Sequence, residues 1–359
     1  MQEVEGVVAF YSKDDIPGDN NFTPLELFFQ QAEEIFCSGR VHYHHQPIGI
    51  LVGESEAILR TASSLVEATY DPPTVGPLLS IRQVLQADRT DRIQEIRTIE
   101  PTRKGTDITH VVKGTFDIYH QYHFHLEQQC CSVVPNENGM DIFPSTQWMD
   151  QIQIAVAKML QIPNNKIQVS VRRLGGGFGA KISRNGLVSC ATALAAWKLR
   201  RPVKVNLSFS DNVQAIGKRF PFSSDYEVGL NDQGVIQYLT CTHYSDLGAS
   251  INEIPYGEIL NDFLGSYVND TFEIHMKVAV TDTHNNTWAR APGSTEGVGS
   301  IEAIMEHCAV ELGMDPIELK KANFQQTPIS TYIDELKTWA DIDTRKADIE
   351  TFNQVRFNF

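Results

Sequence analysis

The densest concentration of residues that could do chemistry is Leu174-Gly-Gly-Gly-Phe-Gly-Ala-Lys181, which puts four glycines into five positions. Glycines let a backbone approach a ligand closely and aim several N–H groups at one point, as anion-binding loops do. Gly175, Gly177 and Ala180 satisfy the GxGxx(G/A) spacing of a dinucleotide loop, a weak match by itself. A P-loop is excluded because Lys181 is followed by Ile182 instead of Ser or Thr, and no acidic residue ends a strand about twenty residues on to hold a ribose. Taken alone, the loop serves as structural punctuation as readily as it serves a ligand.

The histidines invite a metal reading. His42, His44 and His45 crowd before a strand, and His123 and His125 alternate in another expected strand. No acidic or thiolate spacing accompanies them, so structural or surface roles are the better expectation. Gln147, in Ser145-Thr-Gln, reads singly as a cap-region residue; Arg290, in Asn286-Thr-Trp-Ala-Arg-Ala-Pro-Gly293, reads as a surface ion-pair partner. The six cysteines form no CxxC pair, which points to free thiols and gives no cysteine-ligated zinc or iron–sulfur site.

These residues must be positioned by elements legible in the pattern. Strands are expected over Val4–Tyr11 and Pro47–Val52, followed by a helix from Ser55 with Ile58, Ala62, Leu65, Val66 and Thr69 on one face. Tyr70-Asp-Pro-Pro should end that helix. The polar, charged stretch 87–106 reads as a connection between two domains. Beyond it, Ile152, Ala155, Val156, Met159 and Leu160 mark a helix with Ser145 or Thr146 as N-cap. A strand over Lys166–Arg173 leads into the glycine loop, and an alanine-rich helix over Leu187–Leu199 leaves it. Pro202–Phe209, Asp225–Leu230 and Val235–Tyr244 read as strands, the last two joined by a turn at Asn231–Gly234. Ile301, Ile304, Met305, Cys308 and Leu312 mark a helix that stops at Gly313, and Asp315-Pro-Ile-Glu318 starts another. This order of strands and helices argues for an α+β fold.

Length and composition set the limits. At ~100–200 residues per domain, 359 residues leave room for two. A net charge of −15 argues against nucleic-acid binding through a basic face. The longest nearly apolar stretch, Val188 to Trp197, is far short of the ~20 residues of a membrane-spanning helix, and Met1-Gln-Glu-Val-Glu lacks the basic and apolar regions of a signal peptide. No membrane association and an intracellular, cytoplasmic location are the expectations.

In order along the chain, His123-Phe-His-Leu-Glu127, Ser145-Thr-Gln147, Arg173-Leu-Gly-Gly-Gly-Phe-Gly-Ala-Lys181, Gly217-Lys-Arg-Phe-Pro-Phe222 and Asn286-Thr-Trp-Ala-Arg-Ala-Pro-Gly293 resemble the molybdenum hydroxylases, the xanthine dehydrogenase and aldehyde oxidase family. The resemblance implies an N-terminally incomplete a/b hammerhead domain over 1–82, a linker over 83–106, and a C-terminally incomplete first molybdopterin-binding domain over 107–359. It also implies a molybdenum–molybdopterin cofactor held by a pterin dithiolene, with Gln147, Gly177, Phe178, Gly179 and Arg290 as cofactor-binding residues. Of these, Gln147, Phe178 and Arg290 would lie nearest the molybdenum. The family hydroxylates its substrates with water as oxygen source, passes electrons through [2Fe-2S] clusters to FAD in regions not bound by this segment, and forms homodimers.

Departures from the family pattern bear on the substrate. Ile182 stands where xanthine-oxidising members carry a glutamate, Glu258 falls near their arginine, and Pro292 replaces a ring-sandwiching phenylalanine. Arg-Ala-Pro-Gly is closer to insect-type aldehyde oxidases, and an apolar Ile182 suits aldehydes with hydrophobic tails. The resemblance thus implies aldehyde oxidation to carboxylic acids, extending to N-heterocycles, with a xanthine dehydrogenase or an inactive scaffold chain as the alternatives. The family's catalytic glutamate follows a Gly-Glu-Pro run; Gly257-Glu258 is followed by Ile259 and is not that motif, so no catalytic residue is assigned and that glutamate is expected beyond Phe359. By itself the segment is expected to be inactive.

Overall fold

The computed structural model describes residues 4–26, 29–325 and 327–356. The chain opens with β1 (Val7–Tyr11), pairs it antiparallel with β2 (Ile50–Gly53), and continues into α1 (Glu56–Ser63), whose N-cap Ser55 accepts the Ile58 N–H. The helix stops well before Tyr70-Asp-Pro-Pro: Leu65 and Val66, expected on its buried face, are each 53% exposed. Without a core to cover that face, helical spacing alone does not extend a helix.

The stretch expected as a linker is structured. It holds the end of α2 (Ile81–Gln86) and the strand β3 (Ile93–Ile99), after which Arg103 pairs with Asp270 and Gly105 N–H bonds the Gln237 carbonyl. β4 (His110–Ile118), β5 (Cys130–Asn136) and β6 (Gly139–Pro144) follow. Between β4 and β5, His123 and His125 lie in irregular backbone with Phe124 at φ +55°, not in the alternating strand the pattern suggested.

α3 (Met149–Leu160) presents the expected face, with Ile152, Ala155, Val156 and Met159 fully buried. Its N-cap is Trp148; Thr146 Oγ1 accepts the Trp148 N–H one step upstream. β7 (Ile167–Val169) ends short of Arg173, and α4 (Asn185–Leu199) is apolar nearly all round because it packs against both α3 and β5. β8 (Val203–Asn206) is shorter than expected, since Ser208 caps α5 (Phe209–Ala215) through the Asp211 N–H. β9 (Phe222–Leu230) and β10 (Ile236–Asp246) form the expected hairpin, followed by α6 (Tyr256–Leu264), β11 (Phe272–Ala279), α7 (Ser294–Leu312) and α8 (Pro316–Asn323). α7 stops at Gly313 and Asp315 caps α8, as the sequence indicates; α9 (Thr327–Trp339) and α10 (Ile342–Arg356) complete the chain.

Two larger sheets organise these elements. One runs β3-β11-β10-β9-β4, antiparallel except for β10–β11; the other runs β7-β6-β5-β8, antiparallel except for β6–β7. β9, β10 and β11 pack on α6 and α7 in one apolar core; β5 and β6 pack on α3 and α4 in a second, which also takes Phe22, Ile35 and Phe36 from the N-terminal region. The fold is α+β, a small unit built on the β1–β2 pair and α1 followed by a larger mixed domain. All six cysteines are free thiols. Among the described residues, no helix is long and apolar enough to cross a membrane.

Candidate functional site

The glycine loop leaves β7 and returns to the core at the start of α4. Lys181, with no exposed side-chain surface, anchors its end by donating to Glu127 Oε2 at 2.7 Å; the same oxygen accepts the Gly175 N–H at 3.1 Å. Burial pushes the Glu127 carboxyl up, but the Lys181 ammonium and the Gly175 N–H outweigh it and hold the group below the usual carboxylate range. The loop is thereby stapled at both ends by one carboxylate.

Gln147 stabilises its middle. Its Oε1 accepts the N–H groups of Gly179 at 3.0 Å and Lys181 at 3.3 Å, while its own N–H donates to the Lys181 carbonyl at 2.8 Å. With Oε1 so used, the exposed amide of Gln147 has its Nε2 donor left without a partner among the described residues. Close approach explains two of the glycines: a Cβ on Gly177 would lie 2.5 Å from Gln147 Oε1. A Cβ on Gly179, which also sits at φ +103°, would lie 2.1 Å from the Trp288 carbonyl oxygen. Gly179 therefore presses the loop against the segment that carries Arg290. Phe178, at φ +53° and 47% exposed, stands out from the loop instead of filling the core.

Arg219 sets the second segment. It donates to the carbonyls of Arg290 at 2.5 Å and Ala291 at 3.3 Å, to Gln121 Oε1 at 2.7 Å, and meets Glu296 at 3.4 Å. Burial raises the Glu296 carboxyl against the pull of Arg219. His123 Nε2 bonds the Trp288 carbonyl at 2.8 Å, and His125 Nδ1 bonds the Glu127 carbonyl at 2.6 Å. Both rings thus buttress the two loops, and each leaves its other nitrogen buried without a partner among the described residues. Burial pushes His123 down to about 4.

What remains is a set of donors. The N–H groups of Gly176, Gly177 and Phe178 and the guanidinium of exposed Arg290 have no partner among the described residues. Three successive amides, a cation and the Gln147 amide suit an anionic, oxygen-rich group. The donors and the glycine cradle therefore fit a molybdopterin-type cofactor.

The sequence-derived residues are not all equally close. Gln147, Gly177, Phe178 and Gly179 are in one loop assembly, and Arg290 is one residue beyond Ala289, which flanks Gly179. Half-buried Ile182 joins through its N–H to the Gly179 carbonyl at 3.0 Å. Half-buried Pro292 precedes Gly293, where an added Cβ would lie 2.5 Å from Cβ of exposed Glu258 on α6, so these two sit at the far side of the Arg290 segment. Glu127, Trp288 and Arg219 were not singled out from the sequence. Each lies inside a quoted motif, and that placement was the available signal.

A glycine loop whose backbone donors have no partner among the described residues, packed against the segment that carries Arg290, has the features of a site for an anionic cofactor. Comparison with known proteins names the family. Residues 87–324 match the molybdopterin cofactor-binding domain, and residues 1–73 match the aldehyde oxidase and xanthine dehydrogenase a/b hammerhead domain. The chain belongs to the xanthine dehydrogenase and aldehyde oxidase family of molybdenum-dependent oxidoreductases. It is 30% identical to mouse xanthine dehydrogenase/oxidase over 98% of its length and 27% of that protein's. It is 29% identical to a nicotinate hydroxylase of Emericella nidulans and to indole-3-acetaldehyde oxidase of Zea mays, in each case over 97% of this chain and 27% of the relative. The chain thus spans about a quarter of the length of these relatives. The aldehyde oxidoreductase of Desulfovibrio gigas shares the fold with a TM-score of 0.81 at 21% identity, over 97% of this chain and 41% of that one.

Proposed function

We propose that this chain forms one wall of the molybdenum site of a hydroxylase that converts aldehydes to carboxylic acids. When bound, the cofactor supplies the two-electron oxidation and the activated oxygen. This chain's residues would hold and orient it: the Gly176–Phe178 amides and the Arg290 guanidinium by donating to its anionic groups, and Gln147 by donating through Nε2 to an oxygen near the metal. Glu127 and Lys181 keep the loop in shape.

The observation that carries the substrate class is half-buried Ile182 at the exit of the glycine loop. A carboxylate there would grip the N–H groups of a purine; a branched alkyl group cannot, and favours an apolar tail. Pro292 works in the same direction. The wider reading includes transfer of electrons through [2Fe-2S] clusters to FAD outside this segment, a homodimeric assembly and a cytoplasmic location.

The test is to purify the native protein, measure molybdenum by plasma mass spectrometry, and compare aliphatic and aromatic aldehydes with xanthine. About one molybdenum per polypeptide and a kcat/KM for the best aldehyde roughly a hundredfold above that for xanthine are expected. Comparable turnover of xanthine would overturn the substrate class, and a metal-free protein with an intact fold would point to a scaffold role.

A further inference from the structure

Glu253 lies between β10 and α6, outside every motif noted above, yet its carboxylate joins the segment leaving the glycine loop to the segment that carries Arg290. Its Oε1 accepts from Arg184 Nη2 at 2.8 Å and from the Ser183 hydroxyl, the two residues just past Ile182 at the exit of the glycine loop. Its Oε2 accepts from the Thr287 hydroxyl at 2.6 Å and the Trp288 N–H at 3.3 Å, in the segment that carries Arg290. The side chain is fully buried and the residue holds φ +56°, a conformation that costs a non-glycine residue energy and persists only where surroundings impose it.

Arg184 extends the linkage to the N-terminal region. Its guanidinium forks onto Glu33 at 2.5 and 3.0 Å, and Glu33 also accepts from Asn252 at 2.7 Å and from Asn285. Burial pushes the Glu33 carboxyl up, but Arg184 and the two amides together hold it below its usual value; the two carboxylates in turn hold the Arg184 guanidinium protonated despite its burial. One arginine thus bridges two buried carboxyl groups, each of which accepts further hydrogen bonds from its own neighbours.

We propose that Glu253 is a positioning residue that fixes the spacing between the glycine loop and the Arg290 loop, one carboxylate oxygen for each. The inference depends on the reading above only for its functional meaning: that these two loops hold the cofactor. Its geometric content is tested without cofactor or turnover. Moving one loop's contact to Glu253 should loosen the other loop.

The experiment is amide hydrogen exchange on the full chain, with substitutions on one side read out on the other. Thr287→Val, which removes one hydroxyl from Glu253 Oε2, is expected to speed exchange of the Gly179, Lys181 and Ile182 amides about tenfold, while Thr287→Ser retains wild-type rates. Ser183→Ala should do the same to the Thr287 and Trp288 amides. Glu253→Gln should speed both sets, with β9 and β10 unchanged. If each substitution altered only its own loop, or if exchange rose uniformly across the chain, Glu253 would be an ordinary structural residue and the proposal would fail. Because no step uses molybdenum, a protein that shows the cross-loop effect yet binds no metal would refute the proposed function and leave this inference standing.

Discussion

Two regions of this molecule are held together by opposite means. In the five-stranded sheet, Leu239, Phe272, Ile274 and Met276 are buried against Ile304 and Met305, and their contribution is removal of apolar surface from water, about 1.5–3 kcal/mol for each large side chain. In the seam beside the cofactor loops, Glu33, Arg184, Asn252, Glu253 and Asn285 are equally buried but joined by directed hydrogen bonds. An apolar core tolerates small shifts in register between its parts; a carboxylate with each oxygen already spoken for does not. The seam is where the glycine loop and the Arg290 segment, the proposed walls of the cofactor site, are tied to each other, so the cost of desolvation falls where their relative position is set.

Substitutions in the two regions should therefore differ in kind. The largest loss of stability is expected from Phe272→Ala, about 3–5 kcal/mol by urea unfolding from transfer and cavity costs, with native-state exchange of the loop amides unchanged. Arg184→Met should cost a similar ~3–5 kcal/mol, because it strands two buried carboxylates, and should in addition expose the loops to exchange. If both variants gave the same exchange pattern, the contrast between core and seam would be void.

A smaller effect, about 1–3 kcal/mol, is expected for Gly179→Ala, where the new Cβ meets the Trp288 carbonyl at 2.1 Å and the backbone is strained. Thermal unfolding measures it, and an unchanged midpoint would show that the two loops do not press on each other. The mildest substitution is Asp315→Ala: loss of the α8 cap should cost about 1 kcal/mol and leave the loops untouched, since Asp315 serves the first-turn N–H groups of Ile317 and Glu318 and a surface lysine, Lys346.

Acid tests both regions at once. Burial pushes His243 in the sheet core down to about 3, His284 down to about 3 and His123 down to about 4. A histidine with a folded pKa below its unfolded value, ~6.5, contributes stability that is present above that value and lost as pH falls toward the folded pKa. Asp246, raised to about 6 by burial, acts in the opposite sense, its contribution growing as pH falls below about 6. His120, also pushed down to about 4 by burial, joins these three histidines, whereas Glu296, raised by burial, joins Asp246; the histidines outnumber the carboxyls, so the unfolding free energy is expected to decline between pH 6.5 and 4, and a flat profile across that range would contradict these burials.

Much of the architecture was legible because it follows local rules. α3, α7 and the α8 cap are written in apolar spacing, glycine and Asp-Pro, and the β9–β10 turn in Asn-Asp-Gln-Gly. β3 was not, since Ile93, Ile96 and Ile99 fall three apart instead of alternating, and its neighbours along the chain are charged. Of the site, Gln147, Phe178 and the glycines were legible through a motif. Glu253 was not, because its partners lie 34–70 residues away, and Arg184 reaches 151 residues back to Glu33. Charged residues so placed read as ordinary surface until the fold brings them together.

The central claim is that the unpartnered amides of Gly176, Gly177 and Phe178 face the cofactor. It is tested most directly by amide exchange on the native protein from cells grown with and without molybdate. Slowing of these three amides by at least about tenfold in the metal-loaded form, with β9 and β10 unaffected, is the expected result. Identical exchange at all three in loaded and unloaded protein would contradict it.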